Sequence, residues 1–237
     1  MTVKTVLIGE KYFPVLQKPL TDLGLRVVPV PCNPLVDPRL SGHVDLSVLY
    51  PGGDSVFLAP YLKGSGIESE MAALGLNVLF PDISQSRLYP CDARMNVCIA
   101  GKTAFLNRKT VAQMIDEYLT RKGFKIFAVN QGYTGCSVCV LPNNGLITAD
   151  RGVWEAAGYA GFDCLLIEPG HIELEGFDYG FIGGASFALD DSTVAFTGRF
   201  DAHPDKDCIM EHLKKHGVKP LFLTQEPIFD IGSAIVI

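Results

Sequence analysis

Apolar and polar positions along the chain form a pattern that returns at intervals of 41 to 51 residues. Five times a helix-like stretch ends on a glycine and runs into an apolar segment. The glycines are Gly24, Gly75, Gly123, Gly161 and Gly217, followed by LRVVPV, LNVLFP, FKIFAV, FDCLLIEP and VKPLFLT. Glycine takes up the left-handed backbone at no steric cost, so each is read as a helix stop. Aligning the strand before each helix places Ser47, Asn96, Ser137, Ser186 and Ser233 at one equivalent position. A supersecondary unit is repeated.

Each unit reads strand, turn, strand, helix, strand. The turns Gly52-Gly53-Asp54, Gly101-Lys102, Asn143-Asn144-Gly145 and Asp190-Asp191 lie between apolar runs and suit hairpins. The units span residues 41–82, 90–130, 132–170 and 179–226, and the fifth is split between 229–237 and 3–31. Its first strand is expected over Asp230 to Ile237 and its second at VKTVLIG from Val3. An open array needs polar capping repeats at both ends, whereas here the termini complete one unit between them. The predicted fold is α/β, a five-fold pseudo-symmetric ring of ββαβ repeats, in one domain over 1–237.

Composition agrees with one compact core: 237 residues, 48% apolar and 19% charged, with no low-complexity linker. The net charge of −6 argues against nonspecific nucleic-acid binding, which needs lysine and arginine to displace phosphate counterions. No apolar stretch approaches the ~20 residues that span a bilayer, and the N-terminus lacks a secretory pattern. A cytoplasmic protein is expected, with no membrane partner. Seven cysteines, an odd set without dense spacing, point to reduced thiols rather than a disulfide framework. Cys98, Cys139 and Cys164 lie in apolar runs and read as core.

Two segments stand out chemically. One is Gly42-His43-Val44-Asp45, opening the strand expected over Leu46 to Tyr50; the other is Gln131-Gly132-Tyr133-Thr134-Gly135-Cys136-Ser137-Val138-Cys139. Further polar strand entries are Asp92, Arg94 and Asn96, then Ser186, then Asp230 in DIGSAIVI. On a continuous strand His43, Asp45 and Ser47 share one face, with Cys136 on another phase unless a bulge or turn intervenes. Cys136 and Cys139, three apart on a strand, point to opposite faces, and no helix pattern begins there.

The fivefold strand, strand, helix, strand unit resembles the pentein superfamily, the five-bladed α/β propellers. That superfamily includes arginine and agmatine deiminases, dimethylargininases and amidinotransferases, and a noncatalytic branch, translation initiation factor six. The resemblance covers the whole chain. It implies a central pore lined by the first strands, a cysteine nucleophile, a histidine in a Gly-His-x-Asp/Glu segment, and carboxylates that hold a guanidinium. On that pattern Cys136 attacks, made available as thiolate by nearby positive charge, and His43 shuttles protons. Asp45, Asp92 or Asp230 grips the cation, and Arg94, Asn96, Tyr133 and Ser186 complete a polar lining. The family carries its cysteine in the repeat directly after the histidine; here Cys136 comes one repeat later, and Met95 holds the equivalent position.

Each residue also has a structural reading. Cys136 would then be an inert buried thiol, His43 a packed loop histidine, and Asp92 and Asp230 strand starters that satisfy turn donors. Arg94 would neutralise a carboxylate or bind an anionic group. His203-Pro204-Asp205 reads as a helix start, with proline just inside it. Cys208, His212 and His216 share a helix face that could hold zinc, but no fourth ligand is apparent; the two histidines also suit the negative end of a helix dipole. His171 lies on a linker, too far before the next strand entry to reach a pore unless that linker folds over it.

The leading functional expectation is hydrolysis or transfer at a guanidino or amidino carbon, on a small polar or cationic molecule at the pore, with no cofactor and no metal. The alternative is a noncatalytic ring that binds a macromolecular partner, or a small-ligand binding protein with a silent pocket.

Overall fold

The computed structural model describes residues 3–237 and shows a mixed α/β fold of five small sheets. In chain order the elements begin with β1 (Thr5–Gly9), α1 (Phe13–Asp22) and β2 (Arg26–Val30). Next come β3 (Val48–Leu49), β4 (Ser55–Leu58), α2 (Gly66–Ala73) and β5 (Asn77–Leu79), then β6 (Cys98–Ala100), β7 (Thr103–Leu106), α3 (Gln113–Arg121) and β8 (Lys125–Ala128). A short helical turn, α4 (Thr134–Ser137), leads into β9 (Val138–Leu141), β10 (Gly145–Thr148), α5 (Arg151–Ala160) and β11 (Asp163–Leu166). The chain ends with β12 (Ser186–Asp190), β13 (Thr193–Phe196), α6 (Lys206–Lys215), β14 (Lys219–Phe222) and β15 (Ile235–Val236).

Each sheet has three strands, ordered β15-β1-β2, β3-β4-β5, β6-β7-β8, β9-β10-β11 and β12-β13-β14. The middle strand pairs antiparallel on one side and parallel on the other, with register such as Leu146↔Val140 and Leu146↔Cys164 in the fourth sheet. Strands β1 and β15, from opposite ends of the chain, share a sheet through Val6↔Val236 and Leu7↔Ile235. The C-terminal strand is shorter than expected: Asp230–Ala234 form an irregular segment, and pairing with β1 is confined to Ile235–Val236 and the backbone hydrogen bonds between Thr5 and Ile237.

The turns and helix ends follow local backbone chemistry. Asn143 and Asn144 both have positive φ (61° and 67°), the conformation a tight hairpin turn requires. All five glycine stops have φ between 68° and 86°. At Gly161 the φ of 86° closes α5, whose other end is capped by the Asp150 carboxylate, accepting from the Val153 N–H at 2.8 Å. Helix α6 begins at Lys206, so Pro204 lies outside its first turn.

The middle strands are buried on both faces, which explains their unbroken apolar runs. Because successive side chains alternate across a strand, each middle strand feeds two cores. Leu7 packs with Val28, Val48, Val56 and Leu58, while Val6 and Ile8 pack with Leu16, Leu20, Phe187 and Ala195. Phe57 joins Ala104, Leu106 and Ile115; Phe105 joins Val138, Leu146 and Val153; Ile147 joins Val194, Phe196 and Ile209. Each of these five core clusters thus takes side chains from two sheets. Each fully buried Phe57, Phe105 or Phe196 contributes about 1.5–3 kcal/mol from burial alone.

Cys98 and Cys139 are buried in these cores, whereas Cys164, on the outer strand β11, is only half-buried. No helix among the described residues is long and apolar enough to cross a membrane.

Candidate functional site

A cavity of about 260 Å³ is lined by residues of every first strand, including Val48, Ile99, Val140, Ala188 and Ile235. Asp45, Ser186 and Ser233 stand on its wall. A second cavity of about 270 Å³ is lined by His43, Tyr133, Cys136 and Asp230 together with apolar side chains. The chemistry-bearing residues lie between the two.

Helical turns, not strands, place them. His43 is extended (φ −76°, ψ 106°) and starts a 3-10 turn over Val44–Leu46, so Asp45 is rotated away from a strand's alternation. Cys136 sits inside α4, where a strand entry was expected. Each turn reorients its side chain, and the two phases that a strand would separate converge. Candidate ligand atoms of His43, Asp45 and Cys136 all lie within 4.8 Å of one another.

Cys136 Sγ is 2.7 Å from Asp45 Oδ2, to which the thiol donates. The amide of Asn96 donates to the same sulfur at 3.3 Å, and its Oδ1 accepts from the Gly135 N–H at 2.6 Å, holding the turn. His43 Nδ1 is 3.9 Å from Asp230 Oδ1, and its Nε2 is buried without a partner. The Asp230 carboxylate accepts from the backbone N–H groups of Phe181 (2.9 Å) and Gly232 (2.8 Å), so it does satisfy turn donors while facing the histidine.

Gly232 has φ 70°, and a Cβ there would come within 2.4 Å of the His43 Cβ. Only glycine meets both demands. Next to it Ser233 adopts φ 62° and donates to the Ser186 carbonyl at 3.0 Å.

Burial raises the Asp45 carboxyl to about 7; the Asp230 charge adds to this and the Cys136 hydrogen bond opposes it. Burial lowers the His43 pKa, with Asp230 opposing, which favours the neutral imidazole. Burial, then the charges of Asp45 and Asp230, push the Cys136 thiol well above its ordinary value. The expected cationic neighbour is missing: the groups around the sulfur are carboxylates, and Cys136 is only 2% exposed.

The other sequence candidates divide. Tyr133 donates its hydroxyl to Asp92 Oδ2 at 2.6 Å, and this raises the phenol pKa further after burial; Asp92 Oδ1 is buried and unpartnered. Ser186 lines the central cavity and donates to the Ile182 carbonyl at 2.7 Å. Arg94 lines neither cavity, and its Nε is buried without a partner, so it is not placed to receive an anionic group there.

The pattern missed the cover of the site. Leu174, Phe177, Tyr179 and Phe181, on the linker before β12, wall the second cavity with Leu40. The linker does fold over the site, although His171 stays exposed, its ring 5.1 Å from that of His203. The one available signal was a run of aromatic residues within an acidic, glycine-bearing connection.

A family model described as a family of unknown function, DUF6873, matches residues 7–235. The chain belongs to that family. A search of curated proteins found no match. Among solved structures, this DUF6873 chain is similar to a DDAH from Pseudomonas aeruginosa, a cysteine-to-serine mutant in complex with citrulline (TM-score 0.60, 10% identity, 94% of this chain and 92% of the other). It is also similar to the inosamine-phosphate amidinotransferase StrB1 from Streptomyces griseus (TM-score 0.57, 13% identity, 98% and 93%). A third is SxtG, an amidinotransferase from Microseira wollei in the saxitoxin biosynthetic pathway (TM-score 0.55, 12% identity, 97% and 94%). The DUF6873 chain therefore has the pentein fold.

Proposed function

We propose that the five sheets close as a ring of ββαβ units about the central cavity and that this ring carries a guanidino- or amidino-group hydrolase or transferase. Closure is supported by the shared cores, which link each sheet to the next and the fifth to the first, and by the pairing of β15 with β1. The observation that carries the chemistry is the meeting of a thiol, an imidazole and two carboxylates from three separate segments, at Cys136, His43 with Asp45, and Asp230.

In this reading Asp45 and Asp230 hold the planar cation by charge-assisted hydrogen bonds. The bound positive charge offsets the two carboxylates that otherwise hold the thiol protonated. Cys136 then loses its proton to His43 and attacks the central carbon, forming a C–S bond. The tetrahedral adduct collapses with cleavage of a C–N bond, and the imidazolium returns its proton to the leaving amine. Water, deprotonated by His43, attacks the S-linked carbon and expels the thiolate to give a ureido product. An acceptor amine in place of water gives transfer.

The burial of Cys136 favours a second reading, a noncatalytic ring that binds a macromolecular or small-molecule partner. One experiment separates the two. The purified protein is incubated with arginine, agmatine, methylated arginines and arginyl peptides, and ureido product and ammonia are measured against Cys136→Ala. Turnover lost in the variant supports the enzyme. Absence of turnover, together with a Cys136 inert to a haloacetamidine probe, overturns the nucleophile and leaves the binding protein.

A further inference from the structure

A second cluster lies remote from this site in the fold, where α6 meets the fourth sheet. Helix α6 presents His212 and, one turn later at its C-cap, His216. Asp163, the first residue of β11, faces them: one candidate ligand atom of each of the three side chains lies within 4.8 Å of the others. The two imidazole rings are 4.7 Å apart.

The partners of the rings assign their tautomers. His212 Nε2 is 3.0 Å from the Leu146 carbonyl oxygen. A carbonyl only accepts, so Nε2 carries the hydrogen and Nδ1 keeps a lone pair. His216 Nδ1 is 3.0 Å from the Asn143 carbonyl oxygen, so the hydrogen sits there and Nε2 keeps the lone pair. That Nε2 lies 2.9 Å from Asp163 Oδ2. At this separation a proton joins the two atoms, and a metal ion takes the proton's place once the pair opens by a few tenths of an ångström. Backbone carbonyls that take one ring N–H and leave the other nitrogen for a metal are the usual outer shell of a histidine metal site.

Room for the arrangement is built in. A Cβ at Gly145 would come within 2.8 Å of the His216 ring, so the turn between β9 and β10 accepts the imidazole only because it carries glycine there. Lys215 Nζ occupies the same carboxylate oxygen at 2.6 Å, but its side chain is 66% exposed and leaves for water at little cost. Asp163 is the ligand that the helix spacing alone could not supply. Cys208, two turns earlier, is exposed and lies outside the cluster.

We propose that Asp163, His212 and His216 form a binding site for a divalent transition metal of the zinc type, with water completing the coordination. Two imidazoles and a carboxylate suit this borderline ion better than magnesium or calcium, which prefer all-oxygen sites. The ion ties α6 of the fifth sheet to the fourth sheet, and its role is structural. Reaching the ~3.4 Å separations of a tetrahedral ion means opening the His216–Asp163 pair from 2.9 Å and drawing His212 toward it, an adjustment chiefly of the half-exposed Asp163.

The test uses the full chain after chelator treatment, titrated with zinc alone in a calorimeter and with cobalt(II) in the visible spectrophotometer, alongside Asp163→Asn, His216→Asn and Cys136→Ser. The expected result is one equivalent bound with micromolar or better affinity by wild type and by Cys136→Ser. Affinity falls at least about tenfold in Asp163→Asn, and zinc raises the melting temperature of wild type but not of that variant. Asp163→Asn keeps the test valid should His216→Asn fail to fold. No binding up to millimolar zinc, equal binding by Asp163→Asn, or loss of binding in Cys136→Ser overturns the proposal.

Discussion

Cys136 Sγ and Asp45 Oδ2 lie 2.7 Å apart although each sits on its own helical turn, leading into a different sheet. The carboxylate both accepts the thiol proton and, by its charge, opposes the thiolate. Replacing Asp45 by asparagine removes that charge while keeping the shape, so the thiol ionises at lower pH. Alkylation of Cys136 by iodoacetamide at about pH 7 is expected to quicken several-fold in Asp45→Asn. In the proposed reaction guanidine turnover is expected to fall by about 10²-fold or more, because one of the two anions assigned to the cation is gone. An alkylation rate unchanged by the substitution would show that the carboxylate does not control the sulfur.

The same carboxyl makes stability depend on pH. Its value of about 7 in the folded chain stands above the ordinary 3.8, so between these the native state binds a proton that the unfolded state releases. The contribution is fully present below about pH 4 and is lost as pH rises through 7. For this group alone the loss amounts to about 4 kcal/mol. Urea unfolding midpoints measured between pH 4.5 and 8 are expected to fall with pH in wild type and to fall less in Asp45→Asn. Parallel curves for the two proteins would locate the titrating group elsewhere.

The legible and illegible parts of this molecule differ in range. Gly161 could be read as a helix stop because left-handed backbone is a demand of that residue alone, and Asn143-Asn144 could be read as a hairpin turn for the same reason. The alternating burial of Val56, Phe57 and Leu58 appears in sequence only as an apolar run, since both faces are covered. Site geometry was harder. The phase argument for His43 and Cys136 assumed strands, whereas Val44–Leu46 and Thr134–Ser137 are helical turns that cancel the phase difference. The buried carboxylates around Cys136, and Asp163 beside His212, are tertiary meetings with no local signature.

Gly232 tests the rigidity of the site. Alanine there meets both a positive φ and the His43 Cβ at 2.4 Å, so either the backbone or the imidazole must move. Gly232→Ala is expected to destabilise the fold by about 1–3 kcal/mol and to lower turnover through displaced His43. Chemical denaturation gives the first quantity and steady-state kinetics the second. A variant with wild-type stability would mean that the segment before β15 is not held as the contact implies.

For the proposed enzyme, substrate choice follows from what lines the cavity over Cys136. Its walls are Leu40, Leu174, Phe177, Tyr179 and Phe181, its charged residues are the acids Asp178 and Asp230, and no lysine or arginine reaches it. Arg39, from the segment before His43, stacks on Phe177, 4.2 Å from the ring centroid, but its guanidinium is engaged by Asp37 at 2.7 Å. A substrate carboxylate would therefore enter an anionic, apolar space without a partner, at a cost of at least 1–3 kcal/mol. Alkylguanidines and agmatine are expected to exceed arginine in kcat/KM by about tenfold or more. Phe177→Ala, which opens the wall and frees one face of Arg39, is expected to narrow that ratio mainly through KM. A preference for arginine in wild type would mean that a cation outside the cavity swings in to meet the carboxylate, and Arg39→Gln would then abolish it.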